Sequence, residues 1–205
     1  VDTPTNYGSD TGAGGEVRGN YCTLNPLNVV LTKVSTIDSG NLNFSDSSAA
    51  NRWAGSTMSS TTGKWYFEVT CLNTGTFSVN LCPGAADGAF YRNTGVYSSS
   101  FGGGGVAGYS SWTTNDVIGC AFDADAGKVW FGKQTNGTGS MVWQGTGANP
   151  ATGTNPTNTF TANLLVFAGI FTDNAAGTKA GAFNFGQRAF SATAPSGFKA
   201  LCTQN

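Results

Sequence analysis

The chain has 205 residues with ten Lys and Arg against eleven Asp and Glu, a formal net charge of −1, and no histidine. Charged residues make up 10% of it, well under the roughly 25% of ordinary soluble domains. No His excludes a Ser/His/Asp triad, a Cys/His pair and any His-ligated metal, and the lack of a basic run speaks against nucleic acid as a partner.

Residues 1–20 are rich in Gly, Thr, Asp and Ser without apolar periodicity, which predicts an extended arm or linker. The start at Val1 is not a signal peptide and is what a processed product, an excised fragment or the ordered part of a longer chain would show. No stretch reaches the ~18 apolar residues of a membrane span, so no membrane insertion is expected. A polar surface built from Ser, Thr, Asn and Gly suits an extracellular or particle-exposed β protein better than a cytosolic enzyme.

From Tyr21 onward, short apolar runs alternate with Gly/Ser/Asn/Thr clusters. "VVLTKV", "LNF", "KWYFEVTCL", "TFSVNLC", "GVYSS", "DVIGCAFDA", "KVWFGK", "MVWQG", "LLVFAGIF" and "KAGAFNF" read as strands, with β-branched and aromatic residues dominant and helix close to absent. Arg52-Trp53 reads as part of an early turn. In "GKWYFEVTC", Trp65, Phe67, Val69 and Cys71 share one face, and Tyr66, Glu68 and Thr70 the other. "DVIGCAF" is apolar on both faces, as a central strand covered on each side would be. Gln144–Asn158 lacks a hydrophobic pattern and is expected to be a surface loop crossing between sheets. So many short strands predict an all-β sandwich or barrel.

The five cysteines contain no CxxC pair and are odd in number. Cys71 and Cys120 fall on core-facing positions and read as buried thiols, while Cys22 and Cys202 would pair only if the two ends of the domain meet. Asp123, Asp125 and Gly127 raise the question of a metal loop, but no Glu closes it, so a hairpin turn is favoured and Asp123 and Asp125 remain weak metal candidates. The acids Glu68, Asp87, Asp116, Asp123, Asp125 and Asp173 sit on strands, strand ends and turns, and none announces glycosidase chemistry. No catalytic residue and no cofactor is assigned. The run "FGGGGVAGYSSW" lacks the Gly-Lys-Ser/Thr and helix of a phosphate loop and reads as a flexible connection. Aromatic and Arg side chains near irregular segments are the candidate ligand-binding residues: Tyr91, Arg92, Tyr97, Tyr109, Trp112 and Trp143. Asn43-Phe44-Ser45 and Asn136-Gly137-Thr138 match the N-glycosylation pattern, relevant only in a eukaryotic secretory host.

"GKWYFEVTC", "GYSS", "NDVIGCAFDADAGKVWFGKQTNG", "VFAGIF" and "AFNFGQRAF" follow one another in an order that resembles the SPRY domain, over Asn41 to Phe190. Asn115 stands where many members have Gly. The resemblance implies a bent sandwich of two antiparallel sheets, concanavalin A-like, spanning residues 21–205 after the arm. It also implies a shallow recognition surface made by loops at one end. The flanks "NYCTLNPLN" and "NFGQRAFSATAPSGFKALCTQN" are similar to SPRY-containing proteins of tailed bacteriophages. This second resemblance implies a tail fibre or other appendage on the virion exterior, with other virion subunits and a host-surface glycan or protein as partners, and a homo-oligomer. Purely architectural decoration and an intracellular peptide-binding adaptor are the alternatives.

Overall fold

A computed structural model describes residues 19–30, 35–83 and 88–203. Most of the expected arm, and Asp87, lie outside the described residues. Sixteen strands run through the rest: β1 (Leu24–Val30), β2 (Ser35–Asp38), β3 (Asn43–Asp46), β4 (Arg52–Ser60), β5 (Lys64–Thr74), β6 (Phe77–Cys82), β7 (Ala89–Arg92), β8 (Val96–Ser98), β9 (Gly105–Ala107), β10 (Val117–Asp123), β11 (Lys128–Gln134), β12 (Val142–Trp143), β13 (Asn158–Thr159), β14 (Val166–Thr172), β15 (Lys179–Asn184) and β16 (Lys199–Ala200). Among the described residues the one helical element is a 3-10 turn, Thr135–Gly137.

The strands form two sheets packed as a sandwich. One runs β1-β4-β14-β6-β7-β8-β9, and the other runs β12-β11-β10-β5-β15-β3-β2, with β13 along β11 and β16 along β5. Every pairing is antiparallel except β16 on β5. The alternation in β5 holds. Phe67, Val69 and Cys71 enter the core between the sheets with Ile118, Cys120 and Phe122 of β10, Phe131 of β11, and Val79 and Leu81 of β6. Each such side chain, fully buried, contributes about 1.5–3 kcal/mol. The opposite face of β5 is covered as well. Tyr66, Ala121, Trp130 and Phe198 form a second apolar cluster, closed by Met141, Trp143, Ala148, Phe190 and Ala194. Gly119 and Gly132 oppose one another in β10 and β11. A Cβ on Gly119 would stand 2.7 Å from Met141 Cε, and one on Gly132 2.6 Å from Met141 Cγ, so their bareness seats Met141.

Three expectations are corrected. Arg52 and Trp53 are not in a turn but open the nine-residue β4. Trp53 lies across Gly55 and its partner Gly169, where a Cβ on residue 55 would meet the ring at 2.1 Å. Residues 144–157 do not cross between sheets: β12 and β13, on either side of them, pair with the same edge of β11. The loop instead covers Trp130, whose indole N–H donates to the Thr154 carbonyl at 2.8 Å. The glycine run is not merely a connection, since it carries β9 paired with β8. The "DADAGK" segment is the expected hairpin turn: Asp123 pairs with Lys128, Asp123 Oδ1 accepts the Ala126 N–H at 2.9 Å, and Gly127 takes φ +62°.

The two ends of the described domain meet. Tyr21 and Cys202 form an antiparallel bridge, Cys22 N–H donates to the Leu201 carbonyl at 2.9 Å, and Thr203 N–H to the Asn20 carbonyl at 3.1 Å. No disulfide joins any of the five cysteines, all of them buried. Cys202 stands opposite Tyr21, so the regular ladder turns the neighbouring Cys22 side chain to the other face, into the core.

Candidate functional site

The structure gathers four of the six candidate residues at the flank of the core where β7 and β8 meet the loop 108–116. Tyr91 and Tyr97 are directly paired across β7 and β8. The Tyr97 ring stacks on Tyr109 with centroids 3.8 Å apart and planes 10° from parallel. Tyr109 meets Tyr91 edge-on at 5.7 Å, and Tyr91 meets Trp112 at 6.0 Å. Tyr91 is wholly buried and its hydroxyl donates to the Ser110 carbonyl. Trp112, 3% exposed, packs edge-on against Phe77 at 4.9 Å. These two hold the loop to the core and have no face left for a ligand. Tyr97 and Tyr109 are half-buried and form an aromatic ledge beside the exposed edge strand β9.

Arg92 and Trp143 are elsewhere. Arg92, one residue past Tyr91, is directed the other way, its guanidinium 5.6 Å from the Phe90 ring. Trp143 belongs to the outer cluster on the opposite sheet, edge-on to Tyr66 at 6.3 Å. Asp123 pairs with Lys64 at 3.4 Å and serves the hairpin turn, and among the described residues no group of three or more His, Cys, Asp or Glu could hold a metal ion.

A buried carboxylate sets the shape of the ledge. Asp116, 1% exposed, accepts the N–H groups of Thr113 and Asn136 at 2.9 Å each and pairs with Lys133 at 3.1 Å. Burial pushes its pKa up, but the hydrogen bonds from Asn136 and Thr113 and the Lys133 ammonium outweigh that and hold it below the ordinary carboxylate value. Lys133 also donates to the Ser111 carbonyl at 2.8 Å, and Gln144 accepts the Ser110 N–H at 3.0 Å. The ledge loop is thus tied at Ser111 to Lys133 of β11 and at Ser110 to Gln144, just past β12. Burial raises the Tyr91 and Tyr109 hydroxyls above the usual phenol value, so both stay protonated. Such a surface offers the aromatic faces of Tyr97 and Tyr109 and the protonated Tyr109 hydroxyl.

Sequence reasoning assigned Trp65 to the core, but it stands half-buried at the start of β5 between two hollows of about 280 Å³ each. The available signal was its position directly after the turn "STTG", where a strand is only beginning to be covered.

No protein-family model matches the sequence, and no curated protein matches it. Solved structures do. The SPRY domain of human HERC1 aligns with a TM-score of 0.53 and 15% identity, covering 78% of this chain and 96% of that one. The stonustoxin structure aligns with a TM-score of 0.58 and 13% identity over 80% of this chain, which spans only 27% of the toxin chain. At these identities the likeness establishes a SPRY-like fold.

Proposed function

We propose that this chain is a non-catalytic recognition domain on the exterior of a tailed-bacteriophage virion, in a tail fibre or other appendage, where it contacts a host-surface glycan or protein or another virion subunit. The observation that carries the contact role is the Tyr97–Tyr109 stack beside β9, whose Val106 is 42% exposed. Aromatic side chains on a rigid base supply contact area at low entropic cost. The SPRY-like fold supports a binding role, and the low-charge Ser/Thr/Asn/Gly composition together with the phage-like flanks supports the virion exterior. Repeated copies on an appendage, as a homo-oligomer, would multiply a weak contact.

The test is binding of the labelled chain, assembled into multimers, to intact bacteria and to immobilised virion proteins. A Tyr97→Ala/Tyr109→Ala variant and an Arg92→Ala variant run beside it. Saturable binding that the double variant loses while keeping its far-ultraviolet spectrum supports the reading. A purely architectural role is the second reading, favoured by the complete burial of Tyr91 and near-complete burial of Trp112; absence of binding to any cell or virion protein would select it, and binding indifferent to both variants would move the contact surface away from the ledge.

A further inference from the structure

At the other end of β5, away from the Cys71 carbonyl that receives the Asn115 N–H of the ledge loop, lies a site of different chemistry. β15 runs beside β5 only as far as Glu68. The place next to Trp65 and Tyr66 is taken by β16, which sets Lys199 opposite Trp65. The Trp65 ring is fixed. Its N–H donates to the Thr62 carbonyl at 2.6 Å and is 3.0 Å from Ser60 Oγ. Gly63 above it has φ +84°, and a Cβ there would be 3.1 Å from the indole nitrogen.

Of the two hollows divided by this indole, one is mostly apolar, with Met58 and Leu201 in its wall. The other is lined, besides Trp65, by Thr62, Gly63, Lys64, Asp125, Gly197 and Lys199. Lys64 faces Asp123 at 3.4 Å. Lys199 is the one described lysine whose ammonium has neither an ion pair nor a hydrogen bond, and the Asp125 carboxylate in the same hollow has none either. A cation and an anion, both solvent-exposed, thus line one open hollow without meeting. The volume lies just below the roughly 300–1,000 Å³ of drug-sized ligand sites, which suits a single ring.

We infer that this hollow binds a neutral hexopyranose unit of a glycan. The C–H face of the ring lies on Trp65. One hydroxyl of a vicinal pair donates to Asp125, and its neighbour accepts from Lys199. Neutrality follows from the local balance, because Lys64 and Lys199 are matched by Asp123 and Asp125 and an acidic sugar gains no net attraction. The site goes beyond the recognition ledge and does not depend on it.

The experiment is nuclear magnetic resonance of the full chain in the indole N–H region, with the Trp65 signal assigned by its loss in Trp65→Phe. Methyl glucoside, methyl galactoside and methyl mannoside are titrated separately to about 50 mM, well above a millimolar Kd, with methyl glucuronide as the charged control. The expected result is a saturable shift of the Trp65 signal with at least one neutral glycoside. Affinity should fall about ten-fold or more in both Asp125→Asn and Lys199→Met, whose remaining signals stay in place, and stay unchanged in Tyr97→Ala/Tyr109→Ala. An unmoved Trp65 signal with all three neutral glycosides, a shift that survives Asp125→Asn and Lys199→Met, or equal or tighter binding of the glucuronide would each overturn the assignment.

Discussion

Glu68 and Ser191 stand 123 positions apart in the chain and meet at 2.8 Å, the serine N–H donating to Oε2. The next N–H, that of Ala192, reaches Oε1 at 2.9 Å, where the Tyr66 hydroxyl also donates at 2.9 Å. One carboxylate, 2% exposed, thereby fastens the C-terminal segment over the outer face of the nine-stranded sheet. Gln134 takes up the Ser191 hydroxyl at 2.6 Å and donates to its carbonyl at 3.1 Å.

Glu68→Gln is the sharpest test of this clasp. The amide keeps one accepting oxygen but turns an N–H₂ toward the Ser191 N–H, leaving buried donors facing each other. Stability should fall by about 1–3 kcal/mol, read from the denaturant midpoint. Hydrogen exchange at Ser191 and Ala192 should quicken more than at β10.

The pH dependence has two opposing parts. Burial raises the Glu68 pKa above its ordinary 4.5 in spite of the hydrogen bonds from Ala192, Ser191 and Tyr66. A raised carboxyl gives its full contribution below the unfolded pKa and loses it as pH climbs through the folded one. Asp46 and Asp116 are held below their ordinary 3.8 because hydrogen bonds outweigh burial, so their contribution is present above that value and disappears as pH falls. Asp116→Asn should cost about 2–3 kcal/mol near neutrality and flatten the loss of stability below pH 3.8, measured by urea unfolding at stepped pH. A loss as steep as in the parent chain would place the acid sensitivity elsewhere.

Gly119→Ala and Gly132→Ala should each destabilise by about 1–3 kcal/mol, because the added methyl meets Met141 and, at residue 119, the Tyr66 hydroxyl at 2.8 Å as well. Combining Gly119→Ala with Met141→Ala should cost less than the sum of the two single changes. Full additivity in a thermal-melt cycle would show that the methyl is accommodated some other way.

The thiols should be inert in the native state. Burial raises the Cys71 pKa to about 11 and pushes the Cys22 and Cys120 thiols up as well, and the thiolate is the reactive form. An aromatic disulfide reagent at pH 8 should label none of the five until denaturant is added, and then all five.

Much of the sandwich was legible because β5 and β10 carry their burial in their alternation: Phe67, Val69 and Cys71 on one side and Ile118, Cys120 and Phe122 beside them. β4 was not legible, since "RWAGSTMSS" has only two large apolar residues, Trp53 and Met58, five positions apart, and its strand character comes from β1 and β14 on either side. The candidate site was half legible. Proximity to irregular segments picked out Tyr97 and Tyr109, but the same criterion picked Tyr91 and Trp112, because a tyrosine that anchors a loop from beneath and one that faces outward look alike in sequence. The face of Arg92 and the sheet of Trp143 are set by their pairing partners, Ser78 and Gly132, which the residue pattern alone does not name. Trp65 was hidden by correct periodicity: the alternation gave its direction but not where the cover over β5 runs out.

The bridge between Tyr21 and Cys202 has a mechanical consequence. A load applied through both ends of the domain falls first on the Asn20–Thr203 and Cys22–Leu201 hydrogen bonds, which open one after another like a zip fastener. The long pairings of β5 with β10 and β15 are not sheared until those have parted. A force-extension trace should therefore begin with a low-force release at the ends, and the sandwich beyond it should keep its shape through that first extension.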